Sequence, residues 1–549
     1  MKIKSFAVAL IILTIGFSNT TCAKTDQFYE ISKNIEIFHS IIRNLDQFYV
    51  DSIDINHIVS EGINEMLWDI DPYTVYYPHE KKTDLTMITT GKYAGIGAII
   101  SKVQNYPWII INELYKDMPA HTAGLKVGDE ILYIDGIDMK GKNTEYVSNN
   151  LRGTPNSTLV VTVRRPGVTD SLDITIIRKN IALPAVTYYG IIKGFGYILL
   201  DSFTENCESS VRLALKEMTK QGIKGLILDL RNNGGGLLDE AVKIVSLFTP
   251  EGTQVVTTKG VGQGESRSYT TRNKPENTKI PLAVLVNNES ASASEIVAGA
   301  LQDLDRAVII GQRTYGKGLV QSTRNLPYGG MLKFTTAKYY IPSGRCIQAV
   351  DYSKRNADGS AKAIPDSLTK IFHTKSGREV RDGGGIRPDI ECKVDTLPEL
   401  VYQVSNSKIF VDYLNEYCVG HPTIDAAKDF SVSDSDFEEF KKYMADHNFT
   451  YTSETSKIIE ELKKVAESEK LLNVAREDIE NFEKKTAYNP YRDMEAVKEP
   501  MKTVIGASLV RRYYFQHGVI EFSQKEDKTL DTAIDVLSNN ARLKSILGN

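Results

Sequence analysis

Two segments of the chain carry residue types that could do covalent chemistry, and the first is centred on Ser292. The run IPLAVLVNN (residues 280–288) predicts a strand that ends in polar residues, and ESASASEIVAGALQDL predicts a helix beginning near Ser292. A serine at such a turn lies among unpaired helix N–H groups, which suits a nucleophile that must generate a negative oxygen. Ser292 to Glu295 also fits a capping box, S-x-x-E, which needs no chemistry. This stretch alone leaves both interpretations open.

The second segment, GQRTYGKGLVQ, offers a general base. Histidine is the usual base for serine, but none of the eight histidines lies between His121 and His373. A neutral lysine can replace it, so Lys317 is the candidate base, and the alternative is a surface lysine in a glycine turn. Lowering a lysine pKa from about 10.4 to about 7 disfavours the charged form by about 4.6 kcal/mol, which burial can supply. The spacing predicts that Lys317 and Gln321 face the same side of a strand, so the glutamine carbonyl can orient the amine.

The same segment partly matches a phosphate-binding loop, G-x-x-x-x-G-K, from Gly311 to Lys317. Two features count against a nucleotide-dependent enzyme. Gly318 stands where Ser or Thr should hold magnesium, and GLVQSTRNLP predicts a strand where a helix should follow. No metal or other cofactor is expected, because H-E-x-x-H and C-x-x-C motifs are absent.

The elements that must position these residues predict a multidomain α/β (α+β) protein. Within residues 180–395, the strand FGYILLDSF, the helix ESSVRLALKEMTKQG, the strand KGLILDL and the helix LLDEAVKIVSLF follow one another. This alternation is typical of the crossover units of an α/β core. Residues 25–84 and 396–549 carry apolar residues at three-to-four spacing and predict helices.

Residues 85–179 change to short strands and resemble a PDZ domain. The resemblance rests on YAGIGAII and on DMPAHTAGLKVGDEILYIDG. A glycine-flanked loop entering a strand can aim successive N–H groups at one point, and a peptide's terminal carboxylate fits such a nest while its backbone extends the sheet. The candidate peptide-binding residues are Tyr93, Ala94, Gly95, Ile96 and Gly97.

The N-terminus predicts export. MKIK supplies positive charge, FAVALIILTIGF is a short apolar run, and small and polar residues follow, as in a secretory signal peptide over residues 1–23. Cleavage after Ala23 gives a soluble periplasmic protein, while Cys22 leaves a lipid-anchored N-terminus open. The other four cysteines leave disulfides and buried free thiols open. A formal charge of −4 provides no basic stripe for nucleic acid.

The longest motif, VNNESASASEIVAGALQDLDRAVIIGQRTYGKGLVQ, resembles the C-terminal processing peptidases, also called tail-specific proteases. The similarity covers roughly residues 30–395. It implies a crotonase/ClpP-like α/β protease core with Ser292 as the nucleophile, Lys317 as the general base and Gln321 as a supporting residue.

A second segment, LDLRNNGGGLLDEAV, resembles the family segment that contributes to the oxyanion hole. The resemblance implies the backbone N–H groups of Gly235 and Ala293 as the donors. The family pattern often has proline where Gly234 stands, which is a departure at this loop.

Together these features predict an exported serine endopeptidase that acts on proteins or peptides with free C-terminal tails, bound through the PDZ domain. The resemblance also implies that the PDZ domain gates the site in several family members. The main alternative is a catalytically inactive PDZ scaffold. An acyl-CoA enzyme of the crotonase type shares the architecture, but SASASE has no feature that it needs. For residues 396–549, dimerisation, shielding of the site and adaptor binding all stay open.

Overall fold

The structure, a computed structural model, describes residues 27–81, 87, 89–261, 266–393 and 396–548. The predicted signal peptide, with Cys22, lies outside these residues. The described residues divide into two compact units, one within the ranges Met1–Lys82 and Gln321–Thr335, the other within Thr83–Val320 and Thr336–Asn549. None of the helices in the described part of the chain has both the length and the apolar character needed to cross a membrane.

The N-terminal segment is helical, as its periodicity predicts. Its elements are helix α1 (27–48), helix α2 (Ile55–Trp68) and strand β1 (Val75–Tyr77). Asp54 begins α2, since its side chain accepts a hydrogen bond from the His57 N–H at 3.1 Å.

The next segment forms the domain that the sequence predicts to be a PDZ domain. Its elements are β2 (Lys92–Gly95), β3 (Ala98–Lys102), β4 (Ile109–Leu114), α3 (Pro119–Thr122), β5 (Glu130–Ile134), β6 (Ile137–Asp138), α4 (Thr144–Leu151), β7 (Thr158–Arg164), β8 (Leu172–Ile177) and β9 (Lys179–Ala182). The main sheet has the order β3-β4-β5-β7-β8, and β2 pairs with β9. Alternate residues along β7, Leu159, Val161 and Val163, are buried in its core.

The α/β core follows the predicted alternation. Its elements are β10 (Val186–Ile192), β11 (Phe195–Leu200), α5 (Cys207–Lys220), β12 (Leu226–Asp229), α6 (Leu238–Ser246), β13 (Gln254–Gly260), β14 (Arg267–Thr270), β15 (Leu282–Val286), α7 (Ala293–Asp303), β16 (Val308–Gly311), β17 (Leu319–Asn325), β18 (Met331–Tyr340), β19 (Val350–Arg355), β20 (Ala361–Ala363), β21 (Ile371–His373), β22 (Glu379–Arg381) and β23 (Ile390–Glu391). The central sheet has the order β10-β11-β12-β15-β16-β23. Its strands from β11 to β23 run parallel, and β10 is antiparallel at the edge.

The remaining helices are α8 (Glu399–Ser405), α9 (Lys408–Gly420), α10 (Asp434–Asp446), α11 (Glu454–Ser468), α12 (Leu472–Thr486), α13 (Pro490–Ala496), α14 (Lys498–Ser523), α15 (Lys528–Ser538) and α16 (Asn540–Leu547). Most of them share an aromatic core around Phe410, Phe437 and Phe440. The last two helices instead cover one face of the central sheet, where Leu530 and Val536 pack in one cluster with the strands. Helices α5, α6 and α7 cover the other face.

The cysteines that the structure describes are free thiols: Cys207, Cys346, Cys392 and Cys418. The structure therefore favours the free-thiol alternative over disulfides.

Candidate active site

Three loops meet at one edge of the central sheet. The glycine loop (230–237) follows β12, the Ser292 turn follows β15, and the Lys317 segment (312–318) follows β16. These strands are neighbours and parallel, so their carboxyl ends lie side by side. The sheet order thus brings together segments that are far apart in the chain.

Ser292 occupies the turn that begins α7. Its backbone has φ 56° and ψ −113°, a positive φ that a non-glycine residue rarely adopts and that carries strain of about 1–3 kcal/mol. The neighbouring Ser290 and Ser294 are fully buried, and their hydroxyls donate to the carbonyls of Leu230 and Asn233. Ser292 is the partly exposed serine of the three, which agrees with its predicted role as nucleophile.

The backbones of Lys317 and Ser292 are bound by the same two side chains. The N–H groups of Ser292 and Lys317 donate to the same oxygen of Glu295, Oε2, at 2.9 and 2.8 Å. The Tyr339 hydroxyl lies against the carbonyls of both residues, at 3.2 Å from that of Ser292. The candidate nucleophile and the candidate base are therefore held by two common side chains, those of Glu295 and Tyr339.

One part of the prediction for Lys317 is wrong. The residue does not lie on a strand face with Gln321, because β17 begins only at Leu319. The Lys317 N–H is used by Glu295 and does not take part in a strand ladder. Gln321 lies within β17 and donates from Nε2 to Thr335 Oγ1 at 3.3 Å. Its proposed support of Lys317 stays a prediction.

Glu295 is the main site residue that sequence reasoning treated only as a cap. Besides the two N–H groups on Oε2, its Oε1 accepts the Thr314 hydroxyl at 2.5 Å and the Gly316 N–H at 2.8 Å. The side chain is fully buried, and this burial raises its pKa to about 7 although the four donors oppose the shift. The S-x-x-E spacing was the available signal, but it could not show the contacts with residues 314–317.

The glycine loop approaches Ser292, the candidate nucleophile, closely. A Cβ on Gly235, whose φ is 101°, would lie 2.8 Å from Ser292 Cβ and 2.9 Å from the Ala293 nitrogen. Ala293 is the first residue of α7, and its N–H is one of those that a helix leaves without an intrahelical partner. The Gly235 N–H donates to Asn233 Oδ1 at 2.9 Å. The predicted oxyanion donors, the N–H groups of Gly235 and Ala293, therefore belong to neighbouring segments. The Gly235 N–H is engaged by the Asn233 side chain.

Asn233 fixes this loop from within the core. The residue is fully buried, and its Nδ2 donates to the Leu200 carbonyl at 2.6 Å. Its own carbonyl accepts the Ala291 N–H at 3.0 Å and the Ser294 hydroxyl at 2.8 Å. The glycine loop and the Ser292 turn are thus joined through one asparagine.

Arg231, at the start of the glycine loop, connects it to the C-terminal helices. Its guanidinium pairs with Asp229 at 2.5 Å and with Asp527 at 2.6 Å. Asp527 also begins α15, since its side chain accepts from the N–H groups of Thr529 and Leu530. The C-terminal helices therefore help to hold the loop that carries Gly235.

The candidate peptide-binding residues of the PDZ domain form one strand end and loop. Ile96 is buried in the domain core, and its carbonyl accepts the Ala120 N–H at 2.8 Å. Burial raises the pKa of the Tyr93 hydroxyl, while the Arg152 guanidinium and the Gly97 N–H oppose the shift. Gly97 has φ 74°, which suits a glycine.

The family assignment rests on three family models and on close relatives. The model of Peptidase family S41 matches residues 194–353, that of a PDZ domain residues 110–165, and that of the C-terminal helical domain of a probable PDZ-protease residues 400–537. A carboxy-terminal-processing protease of Bartonella bacilliformis is 37% identical over 344 residues, which are 62% of this chain and 77% of that protein. The chain belongs to the carboxy-terminal-processing proteases of peptidase family S41. This peptidase is of the serine type.

The chain is also similar to a second curated protease and to a protease of known structure. A probable CtpA-like serine protease of Staphylococcus aureus is 33% identical over 325 residues, covering 59% of this chain and 64% of that protein. A solved photosystem II D1 C-terminal processing protease aligns with 66% of this chain and 93% of its own, at 26% identity and a TM-score of 0.36.

Gly235→Ala is expected to lower kcat about a hundredfold or more, because the new Cβ cannot fit against Ser292 and because the oxyanion donor would be displaced. Peptide hydrolysis by the purified variant tests this, with thermal unfolding as a check on folding. Gly234→Ala is the matched control, since a Cβ there meets no atom within 4 Å. Equal losses in both variants would contradict the proposed geometry.

Glu295→Gln is expected to lower kcat at least about tenfold while changing KM little, because an amide cannot accept all four hydrogen bonds. Glu289→Gln, at an exposed carboxylate on the same turn, should leave kcat unchanged. A variant with normal kcat would show that Glu295 is only a helix cap.

The raised pKa of Glu295 predicts a pH dependence of stability. The carboxyl group stabilises the folded state fully below its unfolded pKa, and this contribution is lost as pH rises through about 7. The melting temperature of the parent should therefore fall relative to that of Glu295→Gln between about pH 5 and about pH 8. Thermal scans of both proteins across this range measure the difference, and parallel pH profiles would contradict it.

Proposed function

We propose that this peptidase is an exported endopeptidase that binds free C-terminal tails of protein substrates through its PDZ domain and hydrolyses peptide bonds with a Ser292–Lys317 dyad. The observation that carries the proposal is the single oxygen of Glu295 that accepts the N–H groups of both residues. This contact supports a nucleophile and a base held side by side in a core segment without histidine.

The reaction follows from these positions. Ser292 Oγ attacks the peptide carbonyl while neutral Lys317 Nζ takes its proton, so a carbon–oxygen bond forms and the carbonyl oxygen becomes negative. The N–H groups of Ala293 and Gly235 stabilise that oxygen, for which Gly235 exchanges Asn233 Oδ1 for the oxyanion. The carbon–nitrogen bond then breaks, and Lys317 gives the proton to the leaving amine. Water releases the acyl group by the same route.

Tail selection belongs to the PDZ domain in this proposal. The glycine-flanked loop of Gly95 and Gly97 offers backbone N–H groups to a terminal carboxylate, and the strand edge accepts the peptide backbone. Export rests on the N-terminal signal pattern alone, as does the alternative of a lipid anchor at Cys22.

The test is cleavage of an unfolded substrate with an apolar C-terminal tail, followed by mass spectrometry with EDTA present. Ser292→Ala and Lys317→Ala should each lower the rate about a thousandfold or more. Lys338→Ala, at an exposed lysine of β18, is the matched control and should cut normally. Amidation of the substrate's C-terminus should slow cleavage if the PDZ domain binds the free carboxylate.

The outcomes separate the parts of the proposal. Undiminished cleavage by either dyad variant would remove that residue from catalysis. Cleavage that is insensitive to amidation would remove the carboxylate from substrate selection but leave the dyad intact. An inactive parent that also fails to react at Ser292 with an acylating probe would favour the peptide-binding scaffold.

A further inference from the structure

A cavity of about 640 Å³ lies between the PDZ domain and the C-terminal helices. It is lined on the PDZ side by residues of 114–129 with Arg165 and Pro166, and on the helical side by residues of α9 and α14 with Pro422. None of its lining residues belongs to the loop Tyr93–Gly97 or to α4. Its volume is that of a small-molecule site.

Two buried hydrogen-bond donors on this wall have no partner among the residues that the structure describes. They are Asn415 Nδ2 and Arg512 Nε. Asn415 is only 5% exposed, and its Oδ1 already accepts from Arg512 at 3.3 Å, which fixes the amide with Nδ2 as the unused group. Buried polar groups are normally hydrogen-bonded, so two unused donors on one cavity indicate a missing acceptor.

The charges around the cavity favour an anion. The carboxylate of Asp129 is already neutralised by Arg165, which donates to both of its oxygens at 2.8 and 2.7 Å. The cations that remain on the wall are Lys126 and Arg512. Burial disfavours the charged form of Arg512 and lowers its pKa to about 10. An anion bound in the cavity would stabilise that charged form.

Apolar residues also line the cavity. Leu114, Leu125, Val127 and Val419 line it, and Phe515 projects from α14 into the PDZ core cluster. Phe515 has φ 58°, which kinks the helix, and its ring meets that of His121 edge-on at 4.9 Å. The cavity therefore combines donors for one carboxylate with space for an apolar body, at the place where α14 contacts the PDZ domain.

We propose that this cavity is a second carboxylate-binding site, which takes a small organic acid with an apolar side chain. Arg512 and Asn415 donate to the carboxylate, and Lys126 adds charge at the rim. The same chemistry is offered by a free acid and by the last residue of a peptide. Because the ligand would bridge the PDZ domain and α14, its binding stabilises their junction.

Cys418 provides a direct test, because this free thiol lines the cavity. The full purified protein is alkylated with iodoacetamide in the presence of N-acetyl-L-leucine, and each cysteine is followed by peptide mass spectrometry. At about ten times its dissociation constant the probe should slow labelling of Cys418 about tenfold. Cys346 and Cys392, outside the cavity, should label at their normal rates.

Matched reagents and variants separate the carboxylate from the apolar body. N-acetyl-L-leucinamide should not protect Cys418, and Arg512→Gln should weaken protection by the acid about tenfold or more. Lys126→Gln changes an exposed residue, so it should weaken protection without affecting folding, while Lys116→Gln, an exposed lysine outside the cavity, should not. Tyr93→Ala should leave the protection of Cys418 unchanged, because the first carboxylate loop is a separate site.

Each outcome decides the proposal. Labelling of Cys418 that is unaffected by the acid, or equal protection by the acid and its amide, would overturn it. Protection by the acid and also by an acetylated tetrapeptide ending in leucine would support a protein tail as the ligand. Protection by the small acid alone would support a free metabolite.

Discussion

One buried carboxyl group organises the candidate active-site edge of this peptidase. Glu295 accepts four hydrogen bonds, two from the main chain near Lys317, one from Thr314 and one from Ser292. A buried carboxylate without such partners is very unfavourable, so the loop after β16 must close onto α7 for the core to form. The closeness of the Ser292 turn and the Lys317 segment therefore follows from supplying hydrogen-bond donors to one buried carboxyl group.

The oxyanion side of the site is set by a second buried polar residue. Asn233 joins β11, the glycine loop and the Ser292 turn, and its Oδ1 accepts a hydrogen bond from the Gly235 N–H. The strained backbone of Ser292 and the close approach of Gly235 persist because both are fixed by the rigid sheet and by α7. In the proposed mechanism, Asn233 releases the Gly235 N–H when charge develops on the substrate.

The C-terminal helices are part of this arrangement. Helices α15 and α16 complete one face of the central sheet, and Asp527 pairs with Arg231 beside the glycine loop. Helix α14 reaches the PDZ domain through Phe515. A region that carries none of the catalytic motif thus contacts both the PDZ domain and the loop that follows β12.

The sequence by itself determined the element types, because burial on sheets and helices leaves periods of two and of 3.6 residues in the chain. It also determined the candidate chemistry, since a serine at a strand-to-helix turn, a lysine between glycines and a core without histidine are local or compositional features. Only the tertiary structure decided the late start of β17, the role of Glu295 towards residues 314–317 and the packing of α15 on the sheet. These depend on which distant groups share one buried volume, and local spacing carries no information about that pairing.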